Sequence, residues 1–137
     1  MPILIEISAG ELVDKLTILE IKLENIRDPA KLANVRREHD LLKASLRHHI
    51  PETLEIAQLT ADLKSVNSEL WRLEDDIRGH ERESSFGESF VRLARSVYRT
   101  NDKRAAIKRR INDLLGSAVI EEKSYASYLV DLMPRLL

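Results

Sequence analysis

IAQLTADLKSVNSELWRLEDDI, residues 56–77, decides the reading of this chain. Ile56, Leu59, Leu63, Val66, Leu70, Leu73 and Ile77 recur at alternating steps of three and four over three heptads without an error. That is the period of a helix keeping one apolar seam toward a partner. Pro51 is suited to open this helix, and Gly79 with Glu83-Ser84-Ser85-Phe86-Gly87 marks its end. From Pro51 to about Arg82 it spans roughly 45–50 Å at 1.5 Å per residue. So long an element in so small a chain predicts a protruding antiparallel hairpin or a dimerising helix.

Working outward, Ser8-Ala9-Gly10-Glu11 has the spacing of a capping box, with Ile7 and Leu12 placed as a hydrophobic staple. Leu12, Leu16, Leu19, Leu23 and Ile26 then form a seam, while Val13, Ile18 and Ile21 make the first helix apolar on further sides. Such a helix is expected at the centre of a bundle, touched by two neighbours. Asp28-Pro29 ends it and opens a second helix striped by Leu32, Val35, His39, Leu42 and Leu46. That helix stops near His48-His49-Ile50, because Pro51 disfavours α conformation in the residue before it. Ser85-Phe86-Gly87-Glu88 repeats the capping-box spacing and predicts a fourth helix with Phe86, Phe90, Leu93 and Val97 inward and Gly116 as C-cap. Ile3, Ile5 and Ile7 alternate with Leu4, Glu6 and Ser8, the pattern of a short strand, and residues 118–122 are its candidate partner strand. A short helix around Tyr125–Leu132, broken at Pro134, is expected to follow.

The chain is thus read as all-α: one helical domain over residues 1–137, an elongated antiparallel bundle or hairpin of about four helices, with a minor two-stranded pairing of residues 3–7 and 118–122. The composition agrees. Of 137 residues, 43% are apolar and 33% charged, 22 Lys and Arg stand against 23 Asp and Glu, and Cys is absent. That excludes disulfides, thiolate zinc sites and a catalytic thiol. Net charge −1 argues against gross nucleic-acid affinity. The opening Met1-Pro2-Ile3-Leu4-Ile5-Glu6 lacks a basic flank, so no signal peptide is expected. With no run near the roughly 18 apolar residues of a membrane span, a cytoplasmic location is expected. Few aromatics on long seams imply a thin core that a second subunit would thicken, so a homodimer is expected.

Three features carry candidate chemistry. From Arg92 to Arg110 there are eight cations and one acid, Asp102. Arg92, Arg95, Arg99, Lys103 and Arg110 share a stripe about 80° wide. It is suited to phosphates, including those of nucleic acid, unless it is a solvated face or one offset by the acids of residues 69–83. Second, if residues 86–115 are one straight helix, Asn101, Arg104 and Lys108 project onto its apolar side. A buried cation without a partner costs several kcal/mol. Either the helix breaks at Thr100-Asn101-Asp102 and changes phase, or these residues line an internal polar pocket. Third, the sole tryptophan, Trp71, stands beside the seam of residues 56–77 with Asn67, Glu74 and Arg78 on its flank. It is either a binding patch or packing under the fourth helix. The four histidines lack the spacing of metal ligands. Neither a glycine-rich phosphate loop nor a nucleophile elbow is present, so the reading leans away from an enzyme and no cofactor is implied.

Gly10-Glu11-Leu12-Val13-Asp14-Lys15-Leu16-Thr17-Ile18-Leu19-Glu20-Ile21-Lys22, Leu70-Trp71-Arg72-Leu73-Glu74-Asp75-Asp76-Ile77-Arg78, and Tyr98 with Asn101-Asp102, Arg104-Ala105 and Ile107-Lys108 resemble a bacterial family of uncharacterised proteins, domain-of-unknown-function family 6165. Glu121-Glu122-Lys123-Ser124-Tyr125 is similar too. The resemblance spans nearly the whole chain and carries over no assigned activity. It implies a bacterial origin and an association with cell-surface polysaccharide biosynthesis. Its segments fall on the Trp71 flank and on the Asn101/Arg104/Lys108 face, so Trp71, Asp75, Arg78, Tyr98, Asn101, Arg104 and Lys108 form the candidate ligand-binding set. The function expected is that of a non-enzymatic binding or assembly module, acting through the third and fourth helices on a protein partner. The alternative is a site for a phosphorylated small molecule, a nucleotide or nucleotide sugar, with Arg104 and Lys108 as clamp, Asn101 orienting and Trp71 or Tyr98 stacking. A further alternative is nucleic-acid binding along Arg92–Arg110.

Overall fold

In a computed structural model, residues 1–128 are described, and they form α1 (Ala9–Asn25), α2 (Pro29–His49), α3 (Leu54–Arg82) and α4 (Glu88–Leu115). Among the described residues there is no strand. α1 is the hub, packing against α2, α3 and α4, while α2 touches α1 alone of the other helices. The breadth of its apolar surface explains this: Leu12, Val13, Leu16, Leu19 and Ile21 are all buried. Leu12, Val13 and Leu16 meet Ile56, Leu59 and Leu63 of α3, Ile111 of α4 and the C-cap Ile50 in one core. α2 buries no residue fully. Leu32, Val35, His39, Leu42 and Leu46 are its half-buried stripe, as the periodicity predicts.

The local signals set most boundaries. The Ser8 hydroxyl accepts from the Glu11 N–H at 3.1 Å, and Asp28 caps α2 with Pro29 in its first turn. α3 opens three residues later than the Pro51 reading, because Thr53 supplies the cap by accepting from the Ile56 N–H at 3.2 Å. At 29 residues it is about 43 Å long. α1 has 17 residues and covers only part of that length. The fully buried side chains of α3 therefore lie between Ile56 and Leu70, and those of α4 between Thr100 and Asn112. Beyond them the α3–α4 hairpin projects from the hub.

Three expectations are corrected. Residues 3–7 and 118–122 do not pair: Ile3, Leu4 and Ile5 are exposed, and residues 117–128 lie along α4 instead. Ionic attraction accounts for it, since Glu121 and Glu122 reach Lys108 and Arg109. Ser85 does not cap α4. Its N–H is consumed by the His80 carbonyl at 2.8 Å in the turn that ends α3, where Ser84 takes a left-handed φ of 53°. Gly87 becomes the N-cap, and Phe86 falls outside the helix, exposed, with its ring edge against Phe90. Residues 125–128 are not helical, and the rest of the helix expected around Tyr125–Leu132 lies outside the described residues. Gly116 does cap α4, at φ 62°.

Candidate functional site

α4 runs unbroken through Thr100-Asn101-Asp102, so no phase change rescues Arg104 and Lys108. Their partners come from α1. The register is fixed at Gly10, whose N–H donates to Asn112 Oδ1 at 2.6 Å. A Cβ there would stand 2.4 Å from the Lys108 carbonyl oxygen, so only glycine permits so close an approach. With the helices clamped at this point, Glu11 and Asp14, three apart on α1, lie opposite Lys108 and Arg104, four apart on α4.

Asp14 is fully buried. Arg104 Nε donates to its Oδ1 at 2.9 Å and Nη2 donates to Oδ2, a bidentate fork. Asn67 of α3 donates to Asp14 Oδ1 and to Thr17 Oγ1, both at 2.9 Å, and the Thr17 hydroxyl donates to the Asp14 carbonyl at 2.8 Å. Lys108 Nζ donates to Glu11 at 2.7 Å and to Glu121 at 3.2 Å, and lies 3.8 Å from Asp14. The Glu11 carboxylate thus reaches α4. No buried side-chain polar atom among the described residues lacks a partner.

Burial alone would raise the Asp14 carboxyl pKa. The hydrogen bonds from Arg104 and Asn67 and the charges of Arg104 and Lys108 outweigh it and hold the carboxyl below its ordinary value. Burial works to lower the Lys108 ammonium, and its contacts with Glu11, Asp14 and Glu121 overcome this and raise it. The hydrogen bond to Asp14 raises the Arg104 guanidinium. All three groups are ionised at neutral pH.

Over this network lies a cleft of about 600 Å³ between α1, α3 and α4. Ile18, Ile21 and Leu70 supply apolar wall, Trp71 an aromatic face, and Asn67, Glu74, Asp75, Arg78, Asn101 and Arg104 the polar groups. Five of the seven residues singled out from the sequence, Trp71, Asp75, Arg78, Asn101 and Arg104, thus meet in one place. A smaller polar pocket of about 250 Å³ shares Asn101 and Arg104 with it and adds Glu11, Lys108, Glu121 and Lys123. Lys108 belongs to this second pocket. Tyr98 belongs to neither: it lines a separate hollow with Asp102, Tyr125 and Tyr128, its ring centroid 5.1 Å from that of Tyr128. The stripe Arg92, Arg95, Arg99, Lys103 and Arg110 is exposed.

Sequence reasoning missed Asp14, Glu11, Thr17 and Asn112 as parts of this site. The signal was present. Asp14 lies one turn from Gly10 and Ile18 on a helix apolar around most of its girth, so its carboxylate had no wet face. Arg104 and Lys108 were cations stranded in the same way.

Helices, hub and cleft define an all-α bundle whose central helix carries a buried ionic node beneath an open ligand-sized cleft. The chain belongs to the family of unknown function DUF6165, which matches residues 3–135. No curated protein and no solved structure matches it.

Proposed function

We propose that this protein is a non-enzymatic binding module that takes a small molecule in the cleft between α1, α3 and α4. The observation that carries the reading is the convergence of Trp71, Asp75 and Arg78 from α3 with Asn101 and Arg104 from α4 on one concavity. A few polar groups and an aromatic face over an apolar wall are the ordinary make-up of a small-molecule site. Asp14, itself fixed by Asn67 and Thr17, holds Arg104 from below, so the cleft is pre-organised rather than assembled on binding. Binding is favoured over catalysis because the groups of the ionic node beneath the cleft are driven away from neutrality. The Asp14 carboxyl is lowered and the Lys108 ammonium raised, whereas a general acid or base works best near the operating pH.

Thermal stability against nucleotides, nucleotide sugars, sugar phosphates and short nucleic acids tests this. The link to cell-surface polysaccharide biosynthesis that the resemblance implies puts nucleotide sugars on that panel. A ligand that binds the native state alone adds about 2.7 kcal/mol at a hundredfold excess over its dissociation constant. The expected result is a shift from one small ligand that survives moderate salt and is lost in Asn101→Ala. A shift from polyanions alone, abolished by salt and by Arg95→Ala and Arg99→Ala, would move the function to the exposed stripe of α4.

Pairing into a homodimer is the second part of the proposal. It is supported by the exposed apolar arm Ile3-Leu4-Ile5 and by a hub whose outer helix, α2, buries nothing fully. Solution light scattering at twice the chain mass is expected, and a monomeric mass removes this part alone.

A further inference from the structure

Residues 117–128 turn back after the left-handed cap at Gly116 and lie along α4 without helix or strand. The Ser117 hydroxyl accepts from the Ala9 N–H at 3.3 Å, Glu121 meets Lys108 at 3.2 Å, Glu122 meets Arg109 at 3.1 Å, and the Tyr128 ring rests on Tyr98. From Ala118 to Tyr128 every residue of this strap is exposed, so no core side chain fastens it.

Its position is what matters. Glu121 closes the polar pocket that shares Asn101 and Arg104 with the Trp71 cleft. Its carboxylate stands between two ammonium groups, Lys108 at 3.2 Å and Lys123 at 3.4 Å. An ammonium has three donors. Lys108 gives one to Glu11, a helical residue 27% exposed at 2.7 Å, and one to Glu121, a strap residue 45% exposed at 3.2 Å. The longer, wetter bond is the one with no helix behind it. With the strap lifted, Glu121 and Lys123 leave together, Arg104 and Lys108 balance Glu11 and Asp14, and one Lys108 donor is left without its carboxylate. A nearly buried ammonium, its side chain 11% exposed, then has a donor pointing into an empty polar space.

We propose that Glu121 is an internal stand-in for the anionic group of the cleft's ligand, a carboxylate or phosphate borne by a small molecule, and that binding exchanges one for the other and lifts residues 117–128 from α4. This rests on the reading that the cleft binds a small molecule, and adds what that molecule carries and how the site is gated. The Glu121 side of the pair is 45% exposed and contributes little, so an oxyanion in excess exchanges with it on the same ammonium, and a ligand body on Trp71 adds to the affinity.

The test uses the full chain with a nitroxide at Ser124→Cys, a clean label because the chain has no other Cys. Inorganic phosphate and acetate are titrated at constant ionic strength in chloride. The expected result is an immobilised spectrum that converts to a mobile one with phosphate, acetate, or both, which also ranks the two oxyanions. Glu121→Gln, a surface change that leaves folding intact, raises the mobile-to-immobile ratio about two- to fivefold without any anion, the range of an exposed ion pair. It also lowers the phosphate concentration at half-effect. Lys108→Met abolishes the anion response. A spectrum unmoved by both anions, or a Glu121→Gln spectrum equal to that of the parent, overturns the exchange. A panel ligand that binds at Trp71 without mobilising Ser124→Cys overturns the exchange and leaves the cleft standing. Absence of any ligand at Trp71 overturns the cleft itself.

Discussion

Asp14→Asn keeps the shape of the side chain and removes the charge on which the three-helix junction converges. Asp14 is fully buried, Arg104 forks onto it with its side chain 29% exposed, and Lys108 stands 3.8 Å away. Removing one member of a buried ion pair costs about 3–5 kcal/mol, because the other charge is left uncompensated. Partial access of Arg104 to water brings the expectation to the lower end, about 3 kcal/mol. With a urea m-value of about 1.5–2 kcal/mol/M, the unfolding midpoint falls by roughly 1.5–2 M. Equilibrium urea unfolding followed by far-UV circular dichroism measures this. The double variant Asp14→Leu/Arg104→Met removes both charges together and is expected to recover most of the loss. A fall below about 0.5 M in Asp14→Asn is what an exposed pair gives, and it would refute the placing of the node in the core. A double variant no better than the single one would show that packing, not charge, sets the cost.

Gly10→Ala drives a Cβ toward the Lys108 carbonyl at 2.4 Å, and overpacking of about 1–3 kcal/mol is expected despite alanine's better helix propensity; the urea midpoint reads it, and a stabilised variant would disprove the close approach. Ser84→Gly relieves a non-glycine left-handed φ of 53° and is expected to raise stability by about 0.5–1 kcal/mol, measured by the same midpoint. Acid is expected to act through Asp14. Its folded pKa is lowered, so its contribution is complete above the unfolded value near 3.9 and is lost as pH falls through the folded one. The stability gap between the parent and Asp14→Asn should therefore hold from pH 7 to pH 5 and shrink below about pH 4, and a gap that persists at pH 2 would contradict the assignment.

The helices were legible where a local signal acts alone. Ser8, Asp28 and Gly116 each satisfy an end of their own helix, and the heptads of residues 56–77 need only a partner surface. The reading failed where two signals competed. Ser85 has the spacing of a cap, but the turn closing α3 takes its N–H first. Residues 3–7 alternate like a strand, but the partner proposed for them is drawn to α4 by Lys108 and Arg109. The candidate site was half visible. Arg104 and Lys108 announced a missing counter-charge by lying on the wrong face. Naming Asp14 as that charge needed the α1–α4 register, which Gly10 and Asn112 set over a separation of about a hundred residues. Tyr98 shares a segment with Asn101, yet it sits one turn away and about 60° round the helix, beside Asp102 in a different hollow.

The cleft is tested most directly by nuclear magnetic resonance of the full chain against a small-molecule library, because Trp71 gives the only indole N–H signal. The account predicts that one ligand moves the Trp71 indole and the Asn101 side-chain amide together, with a single dissociation constant, and leaves α2 unmoved. Shifts confined to Arg95, Arg99 and Lys103, or no saturable shift at Trp71, would contradict it.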